Sequence, residues 1–262
     1  VTSVTLASAG AAATATVDGS PYAIEASAAQ GTGLDNYAIT YASGSLEVTV
    51  KLLTVTAEDK LRLYGEANPA FTVTCDGFVN GDDAGDLTTQ PTATCAADLL
   101  SGVGTYDIVA AGGVDENYAF SYVDGTLTVD PAPLVCTADD KSKVYGSANP
   151  ALTITYTGLK NGETAPATPP VAACAADETS PVGDYDITLT GGGDPNYALT
   201  LADGTLTVTE KLLTVTAEDK SRLYGDANPA FTVTYAGFVN GDDAGDLTTE
   251  PTATCDADLL SG

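Results

Sequence analysis

Apolar and polar residues alternate with a period of two along most of this chain, and that alternation predicts β-strands. Leu53, Val55 and Ala57 are interleaved with Thr54, Thr56 and Glu58. Phe71, Val73 and Cys75 are interleaved with Thr72 and Thr74, and Tyr106 and Ile108 flank Asp107. Thr and Val supply the β-branched bias that suits a half-buried pleated surface. The stretch from Phe120 to Val129 breaks at Asp124-Gly125, a step echoed by Asp203-Gly204 and Ser43-Gly44. Asp-Gly favours a type I′ turn, so each break predicts a hairpin. Only the segment 81–87 offers a helical turn, with an Asp cap, and no longer amphipathic helix is visible. The pattern predicts an all-β chain.

The strands recur. Residues 51–102 and 211–262 match at 46 of 52 positions, and residues 133–162 read as a more distant copy lying between them. Tyr64, Tyr145 and Tyr224 mark one point of the unit, and Asn36-Tyr37, Asn117-Tyr118 and Asn196-Tyr197 mark another. Both sets of markers are spaced by 81 and then 79 residues, so the unit is about 80 residues long. Two complete units, 51–130 and 131–210, are predicted, each with five or six strands. Residues 1–50 match only the later part of a unit and residues 211–262 only the earlier part. A half unit cannot close a core alone, so these flanks are expected to complete with other sequence or other chains. The strand at Gly204–Val208 runs almost directly into Glu210-Lys211-Leu212. Joints this short predict an elongated, stiff rod.

Composition removes several functions. With 36 acidic and 9 basic residues the formal net charge is −27, and there is no His. No basic footprint exists for nucleic acid, and an anionic membrane would repel the chain. Histidine-based catalysis and His-ligated metals are excluded. Hydrophobic residues make up 44%, enough for folded cores rather than disorder. There is no Met, so the chain reads as a soluble segment of something longer, and no apolar run is long enough to span a bilayer. The charge is spread over all four segments, −4 for 1–50, −10 for 51–130, −7 for 131–210 and −6 for 211–262. It is a coat rather than a patch, suited to solubility in a saline, extracellular setting.

The run Asp59-Lys60, Tyr64-Gly65, Asn68-Pro69, Phe71-Thr72-Val73-Thr74 and Gly77-Phe78-Val79-Asn80-Gly81-Asp82 resembles the YGX-type MBG domain of bacterial surface proteins. Later elements agree: Ser180-Pro181-Val182-Gly183-Asp184-Tyr185, then Asn196-Tyr197, then Asp203-Gly204-Thr205-Leu206. The resemblance extends over both whole units and both flanks. It implies a small β-domain, β-grasp-like or an immunoglobulin-like sandwich, used in tandem within large secreted or surface-attached bacterial proteins. The expected function is therefore structural, a stalk or fibre segment of an adhesin-like protein without catalysis. The alternative is a module that binds mucin-type glycan or a host surface. The expected partners are neighbouring repeats and, through exposed strand edges, other copies in a filament.

Two constellations are candidates for chemistry. Cys95, Cys174 and Cys255 share one repeat position, Cys75 is added in one complete unit, and Cys136 falls at the position of Val55 in the other. Two cysteines per small domain predict the bridges Cys75–Cys95 and Cys136–Cys174, leaving Cys255 unpaired in this chain. Asp82, Asp83 and Asp86, repeated as Asp242, Asp243 and Asp246, are the candidate calcium ligands. Without a DxDxDG loop they read better as turn residues and a helix cap, and no cofactor is expected. No nucleophile elbow, phosphate loop or paired-carboxylate signature stands out.

Overall fold

The computed structural model describes residues 1–257; the last five residues of the segment 211–262 lie outside it. The chain divides into two units, Val1–Ala132 and Pro133–Gly262. In the first, residues 1–50 contribute β1 (Ser3–Ala7), β2 (Tyr22–Gln30) and β3 (Gly44–Leu46). The complete repeat that follows has seven strands rather than five or six: β4 (Lys51–Ala57), β5 (Lys60–Leu63), β6 (Val73–Asp76), β7 (Thr92–Cys95), β8 (Gly104–Ala111), β9 (Tyr118–Val123) and β10 (Gly125–Asp130). The next repeat matches them one for one with β11 (Ala132–Ala138), β12 (Lys141–Val144), β13 (Ile154–Thr157), β14 (Val171–Cys174), β15 (Gly183–Thr190), β16 (Tyr197–Ala202) and β17 (Gly204–Thr209). Finally come β18 (Thr214–Ala217) and β19 (Val233–Ala236).

Each complete repeat is a two-sheet sandwich. One sheet has the order β6-β4-β9 and the other β5-β10-β8-β7; the second repeat repeats this as β13-β11-β16 and β12-β17-β15-β14. Leu53, Val55 and Ala57 on β4 face Ile108, Leu127 and Val129 on β8 and β10, and all six are buried. The alternating Thr residues lie on the other face, which is why the period-two pattern was readable. Of the two folds expected, the sandwich stands. A β-grasp needs a helix on its sheet, and the described residues hold only 3₁₀ turns at Ala9–Ala11, Leu34–Asn36 and Ala244–Asp246. None of these is long and apolar enough to cross a membrane.

The pairing that closes the sandwich is parallel. β4 runs parallel to β9, with Leu53 opposite Phe120, and β5 runs parallel to β10, with Lys60 opposite Leu127. Both sheets therefore join an early strand of the repeat to a late one. This corrects the reading of the Asp-Gly steps as hairpins. β9 and β10 are consecutive but lie in different sheets, so Asp124-Gly125 is a crossover between layers. Asp124 Oδ1 accepts the Ala110 N–H at 3.0 Å. Gly125 is required by a close approach instead of a turn, since a Cβ there would stand 2.6 Å from the Ala57 carbonyl oxygen. At Gly204 the same contact, to the Ala138 oxygen, would be 2.4 Å.

Among the described residues the buried charged ones are two cations, Arg62 and Lys143, at equivalent positions on β5 and β12. In a chain so rich in carboxylates, both are satisfied by neutral oxygens. Arg62 donates through Nε to Asn68 Oδ1 (2.8 Å) and through its terminal nitrogens to the Leu63 and Asp98 carbonyls. Lys143 Nζ donates to the Ser147 and Asp177 carbonyls. The Asn-Pro motif completes this cage: Asn68 Nδ2 donates to Ala97 O and Asn149 Nδ2 to Ala176 O, both at 2.6 Å. The cation thus pins the loop after β7 to the strand that crosses beneath it.

The flanks adopt the strands of a repeat without its core. No residue of 1–50 or of 211–257 is buried. Tyr64 is 5% exposed but its counterpart Tyr224 is 95% exposed, and Tyr118 at 6% contrasts with Tyr37 at 74%. The sequence around Tyr64 and Tyr224 is nearly the same, so the missing strands account for the difference.

Arg62→Ala should therefore destabilise the repeat 51–130 by about 3 kcal/mol, because Asn68 and two carbonyls lose a charged donor in a dry site. Arg222→Ala, at the equivalent position in a flank without a core, should change stability by less than about 0.5 kcal/mol. Urea unfolding of the two variants beside the parent chain checks both outcomes.

Candidate functional site

The Asn-Gly step before each acidic cluster sets up the most distinctive recurring contact. Asn80, Asn161 and Asn240 all adopt the left-handed region, with φ of 61°, 53° and 59°. Asn tolerates that conformation better than most residues, and the turn aims its amide outward from the loop. In the first unit Asn80 Nδ2 donates to the Ala13 carbonyl at 3.1 Å, reaching back into residues 1–50. In the second, Asn240 Nδ2 donates to the Glu178 carbonyl at 3.0 Å, reaching back into the preceding repeat. The same loop thus grips the upstream neighbour both times.

Other contacts complete each seam. In the first unit the Val17 N–H donates to Asn117 Oδ1 at 2.9 Å. A groove of about 350 Å³ runs along this seam, lined in part by Thr16, Lys51, Asn80, Asp82 and Tyr118. In the second unit Tyr145 Oη donates to Asp242 Oδ2 at 2.9 Å, across the join between the repeat 131–210 and the flank that follows it. Gly146 lies so close to Val239 that a Cβ there would come within 2.4 Å of Val239 Cγ2. The glycine after the marker tyrosine has positive φ in each copy, 73° at Gly65, 81° at Gly146 and 87° at Gly225. At Gly146 it also clears space for the next repeat.

The acidic residues act as local hydrogen-bond acceptors. Tyr118 Oη donates to Asp82 Oδ2 at 2.7 Å, and the Val79 N–H donates to Tyr118 Oη at 3.2 Å. Tyr197 repeats this with Glu163, and the Lys160 N–H donates to its hydroxyl at 2.7 Å. Burial, then the hydrogen bond and negative charge of Asp82, raise the Tyr118 pKa above the ordinary tyrosine range. Asp83 Oδ1 accepts the Gly85 N–H at 2.6 Å, while Asp86 Oδ2 accepts the Asp83 N–H at 2.8 Å. Asp243 and Asp246 make the reciprocal version, a capping box on the 3₁₀ turn at Ala244–Asp246. The six carboxylates proposed for calcium are thus aimed at backbone N–H groups or at tyrosine hydroxyls. Among the described residues no three His, Cys, Asp or Glu side chains converge as a metal site.

All five cysteines are free thiols in the structure, and the expected bridges Cys75–Cys95 and Cys136–Cys174 are not formed. Each expected pair lies on different sheets. Cys75 sits on β6 and packs against the cluster of Leu53, Leu87 and Tyr118, where its sulfur serves as small apolar filler. Cys136 is fully buried on β11. Burial raises the pKa of both thiols, which keeps them protonated. Cys255 is exposed. The sequence reading missed the seam role of Asn80 and Asn240, although the repeated Asn-Gly dipeptide was the signal for it.

A comparison with protein families finds the MBG domain (YGX type) three times in tandem, at residues 53–128, 134–207 and 213–260. No curated protein matches the chain.

Two outcomes follow. The raised Tyr118 pKa contributes stability that is intact below the ordinary tyrosine value near 10 and is lost as pH rises through the folded value. Asp82→Asn should lower that folded value, and phenolate absorbance of the parent minus Tyr118→Phe should show the change. Calcium should move the thermal midpoint no further than magnesium at equal concentration, as read by scanning calorimetry.

Proposed function

Because the chain belongs to the YGX-type MBG domain family, we propose that it is a non-catalytic structural segment of a long repeat protein on or outside a bacterial cell. The observation that carries this reading is where the repeated polar residues are used. Asn80 and Asn240 hold one repeat to the one before it, and Asn68, Asn149, Arg62 and Lys143 tie loops onto cores. Asp59 and Asp140 accept the Thr126 and Thr205 N–H groups at 2.7 and 2.8 Å, fastening the start of β10 and β17. These polar groups serve cohesion within and between repeats.

Charge supports an extended form in solution. With a formal net charge of −27 distributed over every segment, collapse of one repeat onto another is opposed at low salt. Within each unit, a short junction with a side-chain seam restricts the swing of the flank against its complete repeat. The proposed role is that of a spacer or stalk in a saline environment.

Small-angle scattering of the full chain tests the reading. A rod-like profile, unchanged from low to moderate salt, is the expected result. Inserting a flexible Gly-Ser linker between Glu210 and Lys211 should broaden it. A compact profile, or one that the linker does not change, would remove the basis for a stalk.

A further inference from the structure

Each asparagine of the chain precedes one of three residue types. Asn36, Asn117 and Asn196 precede Tyr, Asn68, Asn149 and Asn228 precede Pro, and Asn80, Asn161 and Asn240 precede Gly. The difference is chemical, because asparagine is a labile residue. It loses its side-chain amide when the backbone nitrogen of the next residue attacks Cγ. That nitrogen must carry a hydrogen, be free of other bonds and be open to approach.

Most of the asparagines fail these conditions. Proline has no N–H to lose. Tyr37 and Tyr197 give their N–H groups to Leu34 O at 3.0 Å and Asp194 O at 3.3 Å, and Tyr118 and Tyr197 are buried. The Asn-Gly turns meet all of them. Asn80, Asn161 and Asn240 and the glycines after them are exposed. A Cβ on Gly81, Gly162 or Gly241 would meet nothing within 4 Å, so the space beside each is open. Among the described residues none of these three glycine N–H groups makes a backbone hydrogen bond. The turn is closed by the next residue instead. Asp82 N–H donates to Val79 O at 3.0 Å, Glu163 N–H to Lys160 O at 2.9 Å and Asp242 N–H to Val239 O at 2.9 Å.

Two of these asparagines are the seam donors. Asn80 Nδ2 holds Ala13 O in the first unit, and Asn240 Nδ2 holds Glu178 O in the second. The nitrogen that the reaction expels is the one that makes the seam contact.

We propose that the Asn-Gly turns are sites of hydrolytic deamidation, and that reaction at Asn80 or Asn240 releases the seam which that residue holds. At Asn240 the Gly241 nitrogen gives up its proton and bonds to Cγ. The Cγ–Nδ2 bond breaks, and Nδ2 leaves as ammonia with that proton. Water then opens the cyclic imide at either carbonyl. The product is aspartate in the normal backbone, or isoaspartate with the chain running through the side chain. Either way a carboxylate faces the Glu178 carbonyl, acceptor against acceptor, beside Asp242 and Asp243. Isoaspartate also adds a methylene to the backbone of a turn held at φ 59°. The intact seam restrains the reaction, because Cγ must turn toward the glycine nitrogen and the amide must leave its carbonyl. The rate at Asn240 thus reads how often the seam opens. The inference does not depend on the stalk reading, since its only reactants are the turn and water.

The test is to age the full chain in warm, mildly alkaline buffer and map its peptides by mass spectrometry. Amide-to-acid conversion should appear at Asn80, Asn161 and Asn240 as a mixture of aspartate and isoaspartate, with the other six asparagines unchanged. It should quicken as pH rises, because the attacking nitrogen must shed its proton. Tyr145→Phe removes the hydroxyl contact to Asp242 and loosens the second seam alone. Conversion at Asn240 should then be severalfold faster, with Asn80 as the unchanged internal control. Asn240→Asp carries the product side chain from the start. In it the amides of residues 239–242 should lose protection from hydrogen exchange while those of 79–82 keep it. Conversion at Asn-Tyr rather than Asn-Gly steps, equal Asn240 rates in Tyr145→Phe and the parent, or unchanged exchange in Asn240→Asp would each overturn the proposal.

Discussion

The structure depends on one constraint: the first two strands of a repeat pair in parallel with its last two. β4 lies beside β9 and β5 beside β10, so both sheets span the repeat from beginning to end. Parallel neighbours need long connections, and here the connection is most of the repeat itself. Leu53 and Val55 become fully buried only when that closure is made, each gaining about 1.5–3 kcal/mol from leaving water. At about 80 residues a repeat has little core to spare, so none of these positions is redundant. The flanks show what remains without closure: local antiparallel pairs with correct register, and no buried residue among the described ones.

This constraint also explains the use of polar groups. A sandwich closed by sequence-distant strands has many loops, and each must be fastened. Asp and Asn do that work through backbone acceptors and donors, as at Asp59, Asp124, Asp140 and Asn68. Asp is the shorter acid and reaches its own turn, which suits a chain with so many loop ends. The buried cations at Arg62 and Lys143 belong to the same system, since they gather carbonyls rather than carboxylates. The strong negative charge is then the by-product of many local caps as well as a solubility coat.

Strand positions were legible because Leu53, Val55 and Ala57 alternate with Thr on a sheet with one wet face. The repeat length was legible from marker tyrosines alone. Layer assignment was not. Asp124-Gly125 has the composition of a hairpin turn, yet the chain changes sheets there, and only the collision with the Ala57 carbonyl reveals why glycine is needed. Periodicity reports the face of a strand and says nothing of its sheet. Spacing alone also did not reveal that the two cysteines of each complete repeat lie on different sheets, with Cys75 packed against Leu53 and Cys136 fully buried. The seam was half legible, since Asn-Gly announced a left-handed turn while the partner carbonyls of Ala13 and Glu178 are far off in sequence.

The central claim is that closure by the distant strands, not local sequence, gives a repeat its stability. Thr54-Val55-Thr56-Ala57 and Thr214-Val215-Thr216-Ala217 are the same four residues in the two contexts. Amide hydrogen exchange on the dilute chain compares them directly. The account predicts strong protection of residues 54–57 and rapid exchange of residues 214–217. Equal protection of the two segments would contradict it.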